Sequence, residues 1–332
     1  MALPAPARTY NTIFTTTLDE RWHELEDQIF QGHPLFEKIV KTRVNGSGIN
    51  VQIPLSYAKS STGKQLDSDM DVFTPERKEN ATMGFDPWVI GGDSLAISRA
   101  DQHRNSGKNR FFNFVNTQVD NLFDSEEERL QILFWKASPV AGKDPNSIPS
   151  LINTAGTGTV HGLNSSVETW WKNQFKSSVG SFATNGREKL KQLYNLTNKS
   201  AKKSMVDCIF TDLTGFENYE TLLESRERIE ISSDKQDANL GYGGLKFKGA
   251  KVYWDTFLFT DDGGPSTATD GRWYMLNSNF LHLLVCDGAW MKQTERLEAY
   301  DQLAYGVKVY SMFQLMCSAR RKQGVLSGVT YP

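Results

Sequence analysis

The sequence predicts a mixed α+β fold whose long strands gather toward the C-terminus. Three observations carry that prediction. Residues 49–55 alternate apolar and polar side chains, with Ile49, Val51, Ile53 and Leu55 on one phase, the period-two signature of a half-buried strand. Residues 108–136 place Phe111, Phe112, Val115, Val119, Leu122 and Phe123 on one helical stripe. Residues 303–317 alternate again over an unusual length. There Leu303, Tyr305, Val307, Val309, Phe313, Leu315 and Cys317 share one face, and only Ser311 interrupts.

Taken in chain order, residues 1–20 are poor in apolar periodicity and rich in threonine, so they read as an extended arm. Trp22, Leu25 and Ile29 lie at helical spacing after Asp19, a cap, and predict a short helix over 21–31 that Pro34 ends. Asn45-Gly-Ser-Gly is a turn signal ahead of the first strand. Residues 56–82 are polar, with no large apolar face, and alternation resumes around Leu95 and Ile97. Two strand signals flanking a long polar excursion predict a hairpin projecting from the body, because a structureless loop of that length is uncommon in a compact domain.

Within the helical stretch, Ser125 and Glu128 fit a capping box, which predicts a break and restart there. Residues 138–165 are rich in Gly, Pro, Ser, Thr and Asn and read as a loop or crossover. A helix near 186–197 (Leu190, Leu193, Tyr194), a strand at 205–211 and a second helix follow. That second helix starts from a Thr214/Glu217 capping box and runs to residue 229, with Phe216, Tyr219, Leu222 and Leu223 as its stripe. From Gly243 to Asp255 the apolar phase is Leu245 and Phe247, then Ala250, Val252 and Trp254. The one-residue phase shift across Lys248-Gly249 is what a tight reversal or bulge produces.

Composition bounds the function. The chain has 332 residues, enough for a substantial core in one elaborate domain or two modest ones. Hydrophobic residues at 39% and charged residues at 23% match an ordinary globular protein. A formal charge of −2 argues against a general nucleic-acid binder, whose affinity rests on neutralising phosphates. The local clusters Lys199, Lys202, Lys203 and Arg320, Arg321, Lys322 read as solvated charge on helix ends or strand edges. Cys208, Cys286 and Cys317 are odd in number, far apart and in apolar runs, so buried reduced thiols are expected. The opening MALPAPARTYNT has no apolar h-region, and no stretch approaches the roughly 18 apolar residues of a membrane span. No membrane association is expected, and the protein reads as cytosolic in origin.

Chemistry-bearing motifs are weak. Asp67, Asp69 and Asp71 resemble the first ligands of a calcium loop, but Val72 stands where glycine is required and Lys78 where glutamate is required. If that stretch is extended, the period-two spacing puts all three carboxylates on one face, which suits a basic patch on a partner. Asp261-Asp262-Gly-Gly-Pro reads as a plain loop, the five histidines share no metal-ligand spacing, and His282 reads as a hydrogen-bonded core residue. No nucleophile elbow, P-loop, zincin or paired-cysteine motif occurs. Gly241-Tyr-Gly-Gly-Leu-Lys is followed by a strand, not by the helix whose N-terminal amides would hold a phosphate. No catalytic, cofactor-binding or metal residue is assigned, and a hydrolase with a degenerate site is the enzymatic alternative.

Four stretches in this order have a counterpart. They are Gly48-Ile-Asn-Val-Gln-Ile-Pro-Leu before the hairpin, Gly244-Leu-Lys-Phe-Lys-Gly-Ala-Lys-Val-Tyr-Trp-Asp, Tyr274-Met-Leu-Asn with Leu281-His-Leu, and the closing strand from Tyr305-Gly-Val-Lys-Val-Tyr to Arg320. With the element order, from about residue 20 to 330, the chain resembles the major capsid protein of tailed bacteriophages, which has the Hong Kong 97-type fold. The resemblance implies an N-terminal arm at 1–35 and a strand with an extended E-loop hairpin over 36–105. A peripheral P-domain with its long spine helix would take 106–149, an axial A-domain with interleaved P-domain strands 150–300, and a C-terminal long strand 301–332.

It also implies a function, a head protein that self-assembles into hexamers and pentamers of an icosahedral shell enclosing double-stranded DNA, assembled in the host cytoplasm and resident in the virion. Another virion component, decoration or portal-associated, is the structural alternative. Polar arms and loops can reach a neighbour by strand addition, weak plural contacts gain strength from multivalency, and near-neutral charge permits close self-packing. The candidate subunit-interface residues are Lys59, Lys64, Asp67, Asp69, Asp71, Arg77 and Lys78 in the E-loop. The implied partners are further copies of the chain, a separate scaffolding protein, a portal, optionally a decoration protein, and packaged DNA through non-specific contact. No covalent Lys–Asn crosslink is expected from Lys59 or Lys64, since no matching motif accompanies them.

Overall fold

Two β-sheets organise the computed structural model, which describes residues 34–59, 63–67, 69, 72, 77, 79–100, 114–199, 204–224, 245–259, 271–295, 297–298 and 303–331. The arm over 1–33, the helix expected at 21–31 and the helical residues 108–113 lie outside the described residues. The first described element is helix α1 (Pro34–Val40), which buries Leu35, Phe36 and Ile39. Pro34 opens a helix here, where its fixed φ and missing N–H do no harm. Leu35, read above as part of the arm, is a core residue.

The first sheet contains β1 (Arg43–Gly46), β4 (Val89–Ser98), β13 (Leu281–Cys286), β14 (Lys292–Gln293), β15 (Leu297–Glu298) and β16 (Ala304–Cys317). Strand β16 is its axis. It pairs antiparallel with β13, β14 and β15 on one edge and with β4 on the other, while β1 lies parallel to β13. The long alternation expected at 303–317 is this strand. Val307, Val309, Phe313, Leu315 and Cys317 are buried, and Leu303 lies just outside the strand and exposed. Ser311 is buried on the same face and accepts a hydrogen bond from the Met291 N–H (3.0 Å), which is how a polar group is tolerated there.

The expected hairpin exists with a different return strand. Strand β2 (Asn50–Ser56) buries Val51, Ile53 and Leu55, and it pairs antiparallel with β3 (Ala81–Pro87), from Asn50 opposite Pro87 to Ser56 opposite Ala81. Leu95 and Ile97 belong to β4 and pair with β16 instead. The return strand is hidden in the sequence because its inward positions are Thr82, Gly84 and Asp86, which carry no apolar signal.

Helix α2 (Phe114–Trp135) runs without interruption past Ser125, contrary to the expected break. The Ser125 hydroxyl donates to the Asp93 carboxylate on β4 (3.2 Å) and so is not spent on a cap. Leu122, Glu126, Leu130 and Phe134, four residues apart, form the buried line of the helix. The crossover that follows holds the single-turn helix α3 (Ile148–Leu151) and a small hairpin of β5 (Thr159–Val160) and β6 (Leu163–Asn164).

The second sheet runs in the order β10 (Lys246–Phe247), β11 (Ala250–Trp254), β9 (Cys208–Thr211), β12 (Gly271–Leu276), β17 (Gly324–Thr330), β7 (Gln174–Lys176), with β8 (Gly180–Ser181) also beside β17. Helices α4 (Arg187–Asn198) and α5 (Leu213–Glu224) pack on it. Asp212, and not Thr214, starts α5: its carbonyl accepts from the Phe216 N–H (3.0 Å) and its carboxylate from Gly215. Residues 225–229, the expected end of that helix, lie outside the described residues. The reversal at Lys248-Gly249 is a two-residue hairpin with both residues at positive φ, 48° and 89°, the signature of a type I′ turn.

One apolar core joins α1, the β2–β3 hairpin, α2 and both sheets, with Trp135, Phe210, Tyr274 and Phe313 among its largest members. A second lies between the second sheet and α4 and α5, around Phe182, Leu193, Tyr219 and Trp273. The thiols are unpaired. Burial pushes Cys317 up to about 12 and Cys208 well above the ordinary range, so both are held as inert thiols. Cys286 is only half-buried.

Candidate assembly surface

The β2–β3 hairpin presents two different faces. Its inward residues Val51, Ile53 and Leu55 sit in the main core. Its outward residues include Gln52 opposite Phe85 and Pro54 opposite Met83. Met83 and Phe85 are more than half exposed, and Ile49 at the hairpin's foot is 92% exposed. Exposed apolar side chains on one face of a hairpin are a feature of contact surfaces.

Beyond this base, Lys59, Lys64, Asp67, Asp69 and Arg77 are all exposed, while Asp71 and Lys78 lie outside the described residues. Asp67 is at a bend and Asp69 in a turn. The extended geometry that would align the carboxylates on one face is therefore not met at these two positions. Short acidic side chains favour local turns over strand pairing.

The return strand of the hairpin joins the body through Trp88, the single residue between β3 and β4, whose Nε1 donates to the Gly48 carbonyl (2.9 Å). Strand β4 covers β16 only as far as Phe313. Past that point no described strand takes the β4 side, and side chains satisfy the backbone in its place. Gln314 Nε2 donates to the Pro87 carbonyl (2.9 Å), Asn146 Nδ2 donates to the Leu315 carbonyl (3.0 Å), and the Cys317 N–H donates to His161 Nε2 (3.0 Å). An Nε2 that accepts carries no proton, so the proton of the neutral ring is on Nδ1, which faces the Asp86 carboxylate of β3. Asn146 Nδ2 donates to the same Asp86 oxygen (2.7 Å). His161 adopts a left-handed φ of 55°, its ring buried against Trp171 and its carbonyl accepting from the Phe85 N–H (3.1 Å). Sequence reading found no role for Asp86, Asn146, His161 or Gln314, because the partners named here lie 60 to 227 positions away.

A second polar centre stabilises the crossover. Arg320 is fully buried, not solvated as its basic cluster implied. Its Nε donates to the Leu151 carbonyl (2.6 Å), Nη2 to Thr157 (3.1 Å) and Nη1 to Trp171 (3.4 Å). Burial lowers its pKa to about 10, still far above neutrality, so the charge persists and the carbonyl dipoles solvate it. Deeper in the core, the buried Asp255 carboxylate accepts from Trp135 Nε1 (2.8 Å), the Phe257 N–H (3.0 Å) and Gln131, whose own oxygen accepts from the Phe36 N–H (2.8 Å). That chain ties α1 and α2 to the end of β11.

Among the described residues no group of three or more His, Cys, Asp or Glu is placed to hold a metal ion, and no helix is long and apolar enough to cross a membrane. His282, on β13, is half-buried with its Nε2 by the Ser318 hydroxyl (3.1 Å), and burial lowers its pKa.

No protein-family model and no curated protein matches the chain. Solved structures do. The chain is similar to the capsid of cyanophage A-1(L), with a TM-score of 0.69 at 13% identity over 94% of this chain and 97% of that one. It is similar to the capsid of a native GTA particle, with a TM-score of 0.61 at 9% identity over 98% and 99%. An encapsulin complex from Synechococcus elongatus PCC 7942 gives a TM-score of 0.60 at 8% identity over 99% and 97%. The likeness, at 8–13% identity, is one of fold and not of side chains, and the chain has the Hong Kong 97-type capsid fold.

Proposed function

We propose that the chain is a major capsid protein, a structural subunit that self-assembles into the hexamers and pentamers of an icosahedral shell around double-stranded DNA and resides in the virion. The observation that carries the reading is the end-to-end match to shell subunits, covering 94% or more of both chains in each comparison cited above. The hairpin with its exposed apolar face supports it independently. In this reading the described first sheet, α2 and the β2–β3 hairpin correspond to the P-domain, spine helix and E-loop, and the second sheet to the A-domain. The E-loop side chains Lys59, Lys64, Asp67, Asp69, Asp71, Arg77 and Lys78 meet an adjacent subunit. The chain performs no catalytic step. Its partners are its own copies, a separate scaffolding protein, a portal, and DNA through non-specific contact.

Sedimentation velocity over a concentration series tests this. The reading predicts capsomer-sized and shell-sized species that grow with protein concentration and diminish with added salt as exposed ion pairs are screened. A single monomer peak at every concentration and salt contradicts it.

A further inference from the structure

The joint between hairpin and body holds more polar machinery than a simple strand exit needs. Three side chains converge there from three distant segments: Asp86 from β3, His161 from the β5–β6 turn, and Asn146 from the crossover after α2. Each of the latter two makes one bond to Asp86 and a second to β16, His161 through the Cys317 N–H and Asn146 through the Leu315 carbonyl. The hairpin is thereby strapped to the buried edge of the central strand beyond the last β4 pair, where no described strand pairs on that side.

We propose that Asp86 is the positioning residue of the hairpin, acting through His161 and Asn146 to fix the direction in which the hairpin leaves the body. This rests on the reading of the chain as a shell subunit, in which the hairpin must reach a neighbour from a fixed angle. The hairpin is joined to the body by residues 47–49 between β1 and β2 and by Trp88 alone between β3 and β4, so on the β3 side direction is set by whatever orients β3 against β16. Apolar packing of Val51, Ile53 and Leu55 holds the hairpin down but is not directional. Hydrogen bonds to a carboxylate from a buried imidazole and an amide are directional and strong in a low-dielectric site. Gly84 allows the approach: a Cβ there would stand 3.0 Å from the Cβ of His161.

Amide hydrogen exchange on the full chain, kept dilute so that it stays unassembled, tests the inference. Asp86→Ala is expected to speed exchange in 50–56 and 81–87 by about tenfold or more, while the β4–β16 ladder keeps its wild-type protection. Asp86→Asn, which retains an acceptor oxygen, restores most of the protection. Asn146→Ala, removing one of the two straps, gives a smaller acceleration in the same segments. Pairing Asp86→Ala with His161→Ala adds little to Asp86→Ala alone, because removing Asp86 already cuts the contact that His161 makes to the hairpin. Unchanged hairpin exchange in Asp86→Ala, acceleration spread evenly over the whole chain, or fully additive effects overturn it. The two readings separate cleanly. Loosened exchange in a wild-type-like monomer that never assembles removes the shell function and leaves the strap standing. Assembly lost with hairpin exchange unchanged removes the strap and leaves the shell function.

Discussion

Removing the Arg320 guanidinium leaves the Leu151 and Trp171 carbonyls inside the protein, and the Thr157 carbonyl nearer the surface, without that donor. Each buried acceptor so orphaned costs about 1–3 kcal/mol. Arg320→Met, which keeps the volume, is therefore expected to lower the unfolding free energy by about 3 kcal/mol or more in urea denaturation. Arg320→Lys recovers only part of that, because a single ammonium cannot span the forked geometry. A loss under about 1 kcal/mol would contradict the clamp. His282 gives a pH signature. Burial depresses its folded-state pKa below the ordinary value near 6.5, so the fold favours the neutral ring. Its contribution is complete above that value and is lost as pH falls toward the folded value, where the ring must charge. His282→Gln is expected to flatten the mildly acidic limb of the stability curve and leave the neutral plateau shape unchanged. The sequence reads His282 as a hydrogen-bonded core residue, and its bond to Ser318 agrees with that reading, whereas the role of Arg320 is not legible there. Arg320 looks like surface charge because its cluster mates are basic, and its carbonyl partners lie 149 to 169 positions upstream.

At the scale of elements, periodicity found what it could measure. β2, α4, the long β16 and the reversal at Lys248-Gly249 carry unmixed signals, and all are present. β3 escapes periodicity because a strand whose inward face is Thr82, Gly84 and Asp86 has a packing role but no apolar alternation. The false break at Ser125 has the opposite cause, a local motif overridden by tertiary contact with β4. Two glycines separate space from conformation. A Cβ on Gly92 would fall 2.3 Å from the Val309 carbonyl oxygen, whereas one on Gly249 meets nothing within 4 Å but sits at a φ of 89°. Gly92→Ala must push β4 off β16 and is expected to cost about 3 kcal/mol, toward the upper end for overpacking. Gly249→Ala costs only the conformational term, about 1–2 kcal/mol. Thermal denaturation of the two variants should rank them in that order, and equal losses would refute the close approach at Gly92.

At the scale of the whole molecule, the order of elements is legible in the amino-acid sequence, because chain order and turn chemistry constrain topology more tightly than any single motif does. The assembly surface is legible there only in outline. The charged tip is visible as composition, while the apolar outward face of Met83 and Phe85 and the strap at Asp86 depend on pairing register. Deleting residues 60–78 is expected to leave both cores intact, since no described residue in that range is a core member. Such a variant should keep a wild-type melting temperature within about 2 °C yet fail to assemble. Normal assembly of the deletion would refute the interface assigned to that segment. The most direct test of the central claim is cryo-electron microscopy of the purified chain at high concentration. The account predicts closed shells or capsomer rings of hexamers and pentamers, with each hairpin lying over the adjacent subunit. A compact monomer under every condition, or shells in which the hairpin touches no neighbour, would contradict it.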